Sequence, residues 1–256
     1  MHSLQSKNAV ILGGTSGIGL AVAKNFIASG ANTVITGRRL EGAAIAADIG
    51  ARFVACDIAD EKAVVECMNQ LKDSFKAVDI LVINAGVAAD EGSIEELDSA
   101  EMDAMIDVNL KGTFYALKYA PKILKDGASM IYTGSVAGSG ITHAGSAVYA
   151  ASKAGGAYLA RASAIENAPR AIRVNCVCPA LIADTGMMVA NDGNDTAAFL
   201  SQLNAFGRMG HQDEIVGIYN FLASDASTFI TGQEIRVDGG MTAGLGLPLF
   251  AAIAGE

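Results

Sequence analysis

Short, almost wholly apolar runs alternate with helix-period segments along most of the chain, and this alternation restricts the fold more than any other feature. The runs fall at residues 8–12, 33–36, 52–55, 79–83, 129–133, 172–177 and 234–237. Apolar residues at helical spacing fill 18–29, 40–48, 61–75, 100–125, 148–167 and 212–222, with Pro121 placed to kink or end the fourth of these. A strand that is apolar in both directions must be covered on both faces. Strands separated by helices supply that cover when the sheet is parallel. The expected fold is therefore α/β, a doubly wound parallel sheet with helices on both faces. No linker, internal repeat or low-complexity tract interrupts the pattern, so residues 1–256 read as one domain. Residues 184–206 break the rhythm beyond the end of a strand, which suits a loop or small helix pair covering a site.

Composition narrows the class of protein. With 51% hydrophobic and 18% charged residues the chain can bury a core, and its 29 glycines against four prolines suit tight turns and unbroken helices. A formal net charge of −9 argues against nucleic acid or an anionic membrane as partner. The short polar stretch 1–8 is no signal peptide, and the apolar tail 245–254 is too short to cross a bilayer. Of the four cysteines, Cys56, Cys67, Cys176 and Cys178, the last two flank Val177 in a strand pattern, so both thiols face one side. That spacing does not match a zinc site, and free buried thiols in a reducing cytoplasm are the expectation, with no metal.

Three segments carry chemistry. Tyr149 and Lys153 stand one helical turn apart, so phenol and ammonium share a face. A cation beside a phenol lowers its pKa and makes it a proton donor and acceptor at moderate pH. Ser135 lies upstream at the end of a strand. The second segment, Gly13-Gly14-Thr15-Ser16-Gly17-Ile18-Gly19, follows the first strand and opens the first helix. Its glycines let the backbone approach a diphosphate, and the helix N-terminus offers free N–H groups. The third is the end of the second strand, where Gly37, Arg38 and Arg39 stand in place of the acid that a free ribose prefers. Guanidinium groups suit a 2′-phosphate, so NADP(H) is expected over NAD(H). Asp57 could accept from the adenine amino group while Ile58 packs on the ring. At Asn84-Ala85-Gly86, small residues let the adenosine lie close to the backbone.

This ordered set resembles the short-chain dehydrogenase/reductase superfamily in its single-domain branch. The resemblance runs from Gly13–Gly19 through Asp57, Asn84-Ala85-Gly86, Val108-Asn109-Leu110, Ser135, Tyr149, Lys153 and Pro179 to Val237-Asp238-Gly239-Gly240. It implies a seven-stranded Rossmann-type sheet and a tetrad of Asn109, Ser135, Tyr149 and Lys153. In that tetrad Ser135 bonds the substrate oxygen and Tyr149 passes its proton. Lys153 holds the nicotinamide ribose, and Asn109 fixes a water leading to the lysine. It also implies cofactor contacts from Pro179, Ile182 and Thr185, and a homotetramer whose interfaces use helices 100–125 and 148–167 and the last helix and strand. The chain departs from the usual pattern at Leu12, where a threonine bonds the turn. Further departures are Ile83, Ala180, and Thr185, which comes one residue late. Enoyl reductases of the superfamily space tyrosine and lysine more widely, which sets them aside.

The substrate side is read from Val136, Ile141 and His143 in one segment and Met187, Met188, Phe199, Leu203 and Phe206 in the other. These make a mainly apolar pocket for an alcohol or ketone of modest polarity. His143 reads more readily as an exposed loop residue, and the methionines equally as core. A reductase of 3-oxoacyl carrier-protein substrates is an alternative that needs a basic docking patch, for which Lys118, Lys122, Lys125 and Arg170 are the candidates. A nicotinamide sensor without turnover is a further alternative, against which the complete tetrad counts.

Overall fold

β1 (Asn8–Leu12) is an interior strand of a seven-stranded sheet in a computed structural model that describes residues 1–88, 92–183, 185, 202–244 and 246–254. The other strands are β2 (Asn32–Gly37), β3 (Arg52–Ala55), β4 (Val78–Ile83), β5 (Leu124–Thr133), β6 (Arg173–Pro179) and β7 (Glu234–Val237). Their spatial order is β3-β2-β1-β4-β5-β6-β7, and every neighbouring pair is parallel. This is the Rossmann-type sheet expected.

Alternation along each strand builds two cores. Val10 and Leu12 of β1 join Leu81, Ile83, Met130, Tyr132, Cys176 and Cys178 on one face. There α3 (Glu61–Ser74), α5 (Gly112–Tyr119) and α7 (Ala147–Asn167) cover them. Ala9 and Ile11 join Ile80, Val82, Ile131 and Val177 on the other, under α1 (Gly17–Ala28), α2 (Gly42–Ile49) and α8 (Gln212–Ala223). The order reverses between β1 and β4, so their C-terminal ends diverge into a crevice where an open α/β sheet takes its ligand.

Three elements differ from expectation. The single helix across 100–125 is instead α4 (Ser99–Met105), a π-helical turn (Ile106–Lys111) and α5, closed by a 3₁₀ turn (Ala120–Lys122). Pro121 has no N–H to continue the ladder, and β5 begins at Leu124, five residues earlier than the apolar run suggests. Lys125, expected to end a helix, and the exposed Asp126 and Gly127 instead fill a register shift opposite Val78 and Ile80. A four-residue helix α6 (Val136–Ser139) is too short to leave a period in sequence. Within the C-terminal tail, α9 (Leu247–Ala254) forms, with Leu247 and Phe250 exposed.

Candidate functional site

The turn after β1 is braced by the strands beside it. Gly14 N donates to Thr36 O at 3.0 Å, and Gly13 N to the Thr36 hydroxyl at 3.4 Å. Leu12 indeed lacks the turn hydroxyl, and Thr36 of β2 provides one from the neighbouring strand. Gly13 has φ +82°, and a side-chain carbon there would come within 2.6 Å of the Ala85 backbone. The Asn84 amide donates to Gly13 O at 2.8 Å, so it is spent on fastening β4 to the turn. Ser16 is the N-cap of α1 but makes no side-chain cap bond, and the N–H groups of the first turn remain available to an anion. Thr185 lies over this turn, 3.6 Å from where a Gly17 side chain would begin, and its hydroxyl donates to Ile182 O at 3.1 Å. Ile182 is buried and bridges to Gly210 just past Pro179, the last residue of β6.

At the adenosine end, a side-chain carbon on Gly37 would meet Thr15 Cγ2 at 2.8 Å, so glycine here is a packing requirement as much as an absent acid. Arg38 and Arg39 are exposed beyond it, without a side-chain partner among the described residues. Asp57 accepts from Ala59 N at 3.1 Å, holding its own turn. Ile58 departs from expectation. It is buried against Gly112 at the start of α5, where an added side-chain carbon would approach it to 2.9 Å, rather than lying open to a ring.

The four residues expected to form the tetrad converge from three elements. Asn109 sits in the π-helical turn, where the widened helix turns its side chain inward. Its amide oxygen accepts from Val87 N and its nitrogen donates to Val87 O, both at 2.8 Å. The same nitrogen donates to Ser152 Oγ at 3.1 Å. The side chain therefore ties the segment after β4 to α7, while its carbonyl accepts from the Thr113 hydroxyl at 2.7 Å. Ser135 is the N-cap of α6, its Oγ accepting from Ala137 N at 3.2 Å. The phenol of Tyr149, the third residue of α7, lies near enough to that hydroxyl for Ser135 to favour its ionised form.

Lys153, one turn on, is 2% exposed, and its ammonium donates to Thr133 O at 3.0 Å. It lies 5.8 Å from the centre of the Tyr149 ring, so the two share a face as the spacing requires. The electrostatics differ from expectation. Burial pushes the Tyr149 phenol up, the nearby Ser135 hydroxyl pulls it back in part, and Lys153 does not figure among the causes. Burial brings Lys153 itself down to about 8, against a smaller opposing pull from Cys176 and Cys178. The ammonium is engaged with a carbonyl of β5 and is itself short of solvation, which limits what it can do for the phenol.

Around this centre Val136 is buried within α6, Ile141 is partly buried, and His143 is exposed with its Nδ1 2.9 Å from Ala144 O. Val136 thus belongs to the packing beneath Ser135. Met187, Met188 and Phe199 lie outside the described residues. Phe206 is exposed, and Leu203 is partly buried. Sequence reasoning missed Thr133, Val87, Ser152 and Thr113. Only Thr113, four residues after Asn109, carries a spacing that could have pointed to its bond. The paired strand thiols do face one side, with Cys176 and Cys178 sulfurs 3.4 Å apart.

A glycine turn braced for a diphosphate thus stands in one crevice with a serine, a tyrosine and a buried lysine. Known proteins share that arrangement. A family model described as enoyl-(acyl carrier protein) reductase matches residues 13–242. The sorbose reductase of Schizosaccharomyces pombe is 36% identical over 94% of this chain and 97% of its own. The NADP-dependent (R)-specific alcohol dehydrogenase of Lentilactobacillus kefiri is 34% identical over 94% and 98%. A short-chain dehydrogenase/reductase from Serratia marcescens superposes with a TM-score of 0.86 at 36% identity, covering 94% of this chain and all of that one. With match, fold and crevice in agreement from the first glycine turn to the last strand, the chain belongs to the short-chain dehydrogenase/reductase superfamily of oxidoreductases.

Proposed function

We propose that the protein interconverts a secondary alcohol and a ketone with NADP(H), as one catalytic domain spanning residues 1–256, with Tyr149 as the acid and base. The observation that carries this reading is the placement of Ser135 and Tyr149 side by side, with the buried Lys153 5.8 Å from the centre of the Tyr149 ring. The backbone at Gly13 and Gly19 fits a dinucleotide. A side-chain carbon at Gly19 would come within 2.1 Å of Gly13 O, so turn and helix close into a cradle that larger residues would fill. A bound nicotinamide dinucleotide supplies hydride chemistry there, and the chain's residues supply alignment and charge.

The Ser135 hydroxyl orients the substrate oxygen beside the phenol. Tyr149 donates its proton to that oxygen in reduction and removes it in oxidation. A phenol raised by burial carries its proton at neutral pH, so it is present in the acid form that reduction consumes. Lys153 places positive charge beneath the phenol and within reach of a ribose hydroxyl. Asn109 holds the segment after β4 against α7, and Asn84 holds the turn itself. Arg38 and Arg39 stand free to meet a 2′-phosphate, which supports NADP(H) over NAD(H); the NADP-dependent alcohol dehydrogenase relative is in keeping with this.

The carrier-protein alternative keeps the support of a relative, the 3-oxoacyl-[acyl-carrier-protein] reductase of Salmonella typhimurium, 35% identical over 93% of this chain, but its docking patch is weak. Of its four candidate cations, Lys118 pairs with Glu61 at 2.7 Å, Arg170 with Asp126 at 2.8 Å, and Lys125 with Asp79. Lys122 lies over the Tyr119 ring. A patch so neutralised offers little to an acidic partner. Buried free thiols suit a reducing compartment such as the cytoplasm. Assembly as a homotetramer would cover Phe114, Tyr158 and Ile165, which stand exposed on α5 and α7. A panel of ketones and alcohols followed by nicotinamide absorbance with both cofactors tests the reading. Turnover with an uncharged ketone and NADPH is the expected result.

A further inference from the structure

Lys153 poses a physical problem that the tetrad alone does not solve. Its ammonium is buried at 2% exposure, and burial is the largest influence on it. The groups that act on it come from three elements. From β5 come the Thr133 carbonyl and Tyr132; from its own helix, Tyr149; from β6, the thiols of Cys176 and Cys178. None of these is a carboxylate. One hydrogen bond, to Thr133 O at 3.0 Å, replaces a hydration shell of several.

The remaining support is aromatic. Lys153 Nζ lies 5.4 Å from the centre of the Tyr132 ring, within the range over which a ring face attracts a cation, and such attraction grows as water is excluded. Tyr132 is itself among the largest fully buried side chains. Its hydroxyl has no hydrogen-bond partner among the described residues, with Thr113 as a polar neighbour. The ring reaches this position because residue 156 of α7 is glycine: a side-chain carbon there would lie 2.3 Å from Tyr132 Oη. A smaller apolar residue at 132 would fill a core position without either demand. The chain keeps a ring under the ammonium at the cost of a buried unpaired hydroxyl and a glycine in mid-helix.

We propose that Tyr132 is a positioning residue for Lys153, its ring serving with the Thr133 carbonyl to keep the ammonium charged and fixed beneath Tyr149. The proposal deepens the catalytic reading, resting on Lys153 as the working cation of that site. Its test needs no turnover. In cofactor-free protein carrying ¹³Cε-lysine, the wild-type Lys153 resonance titrates at about 8, apart from exposed lysines near about 10. Tyr132→Phe keeps the ring and leaves that midpoint within about 0.3 of wild type, whereas Tyr132→Leu lowers it by about one pH unit. Where the leucine variant does not fold by circular dichroism, Tyr132→Met fills the space without a ring and takes its place. In active protein the basic limb of kcat against pH moves with the leucine variant and not with phenylalanine. A folded leucine or methionine variant with an unmoved midpoint overturns the proposal, as does a phenylalanine variant that shifts as far. A protein inactive on every ketone would overturn the catalytic reading and leave the titration to decide this one.

Discussion

Lys153 donates an ammonium hydrogen bond to the carbonyl of Thr133, a residue of the central sheet, at 3.0 Å, and this bond anchors α7 to β5. The same lysine is brought down to about 8 by burial. Its folded-state pKa lies below the unfolded value near about 10.4, so below pH 8 both states carry the proton and the folded state bears the whole cost of burying it. As pH rises from about 8 to about 10.4 the folded state loses its proton first and that cost fades. Lys153→Met should therefore melt no lower than wild type at pH 7, while turnover is lost. Its advantage should shrink as pH rises from 8 to 10. Thermal melts of both proteins across that range check the sign.

Arg38→Asp is expected to weaken NADP and improve NAD, because the proposed function assigns the exposed guanidinium just past β2 to a 2′-phosphate. Charge-assisted contacts of roughly 1.5–3 kcal/mol give the wild type a preference of one to two orders of magnitude. Gly37→Asp should serve less well, since its side chain must first displace Thr15, 2.8 Å away. Catalytic efficiencies with both cofactors decide this; equal values in the wild type contradict the assignment.

Gly156→Ala should destabilise the fold by about 1–3 kcal/mol, because its methyl group meets the Tyr132 hydroxyl at 2.3 Å. Tyr132→Phe removes that oxygen and an unpaired buried hydroxyl with it, so alone it should cost nothing measurable. Combined with Gly156→Ala it should recover part of the loss. Denaturant melts of the two single variants and the double give the coupling.

Tyr158→Glu should break the assembly into smaller species, since Tyr158 is 69% exposed on α7 beside the exposed Phe114 of α5. Light scattering at micromolar concentration should give a tetramer for the wild type, and a monomer mass would refute the assembly. Deleting the residues after Gly244 removes the exposed Leu247 and Phe250 and should weaken a second contact.

What could be read from sequence was what repeats locally. The strand 8–12, the glycine turn and the spacing of Tyr149 and Lys153 each depend on near neighbours, and all appear where expected. The continuous helix across 100–125 failed because a π turn around Asn109 leaves the helical period almost intact, while β5 starts at Leu124, inside the expected helix. The site's electrostatics were not legible either. Whether a lysine lowers a phenol depends on where its ammonium points, and Thr133 is distant in sequence. The brace from Thr36 that stands in for a missing threonine at Leu12, and the burial of Ile58 against Gly112, are likewise contacts between strands and helices far apart in the chain.

Turnover by Tyr149→Phe, beside its affinity for NADPH, tests the central claim most directly. The phenol oxygen is the group assigned to move the substrate proton, while the ring can still pack and the glycine turn is untouched. The expected result is nicotinamide absorbance that does not change with any ketone the wild type reduces, with cofactor affinity within about twofold. Turnover within a factor of about 10 of wild type would mean that less than about 1.4 kcal/mol of barrier had been lost, too little for the residue that carries the proton, and would contradict the account.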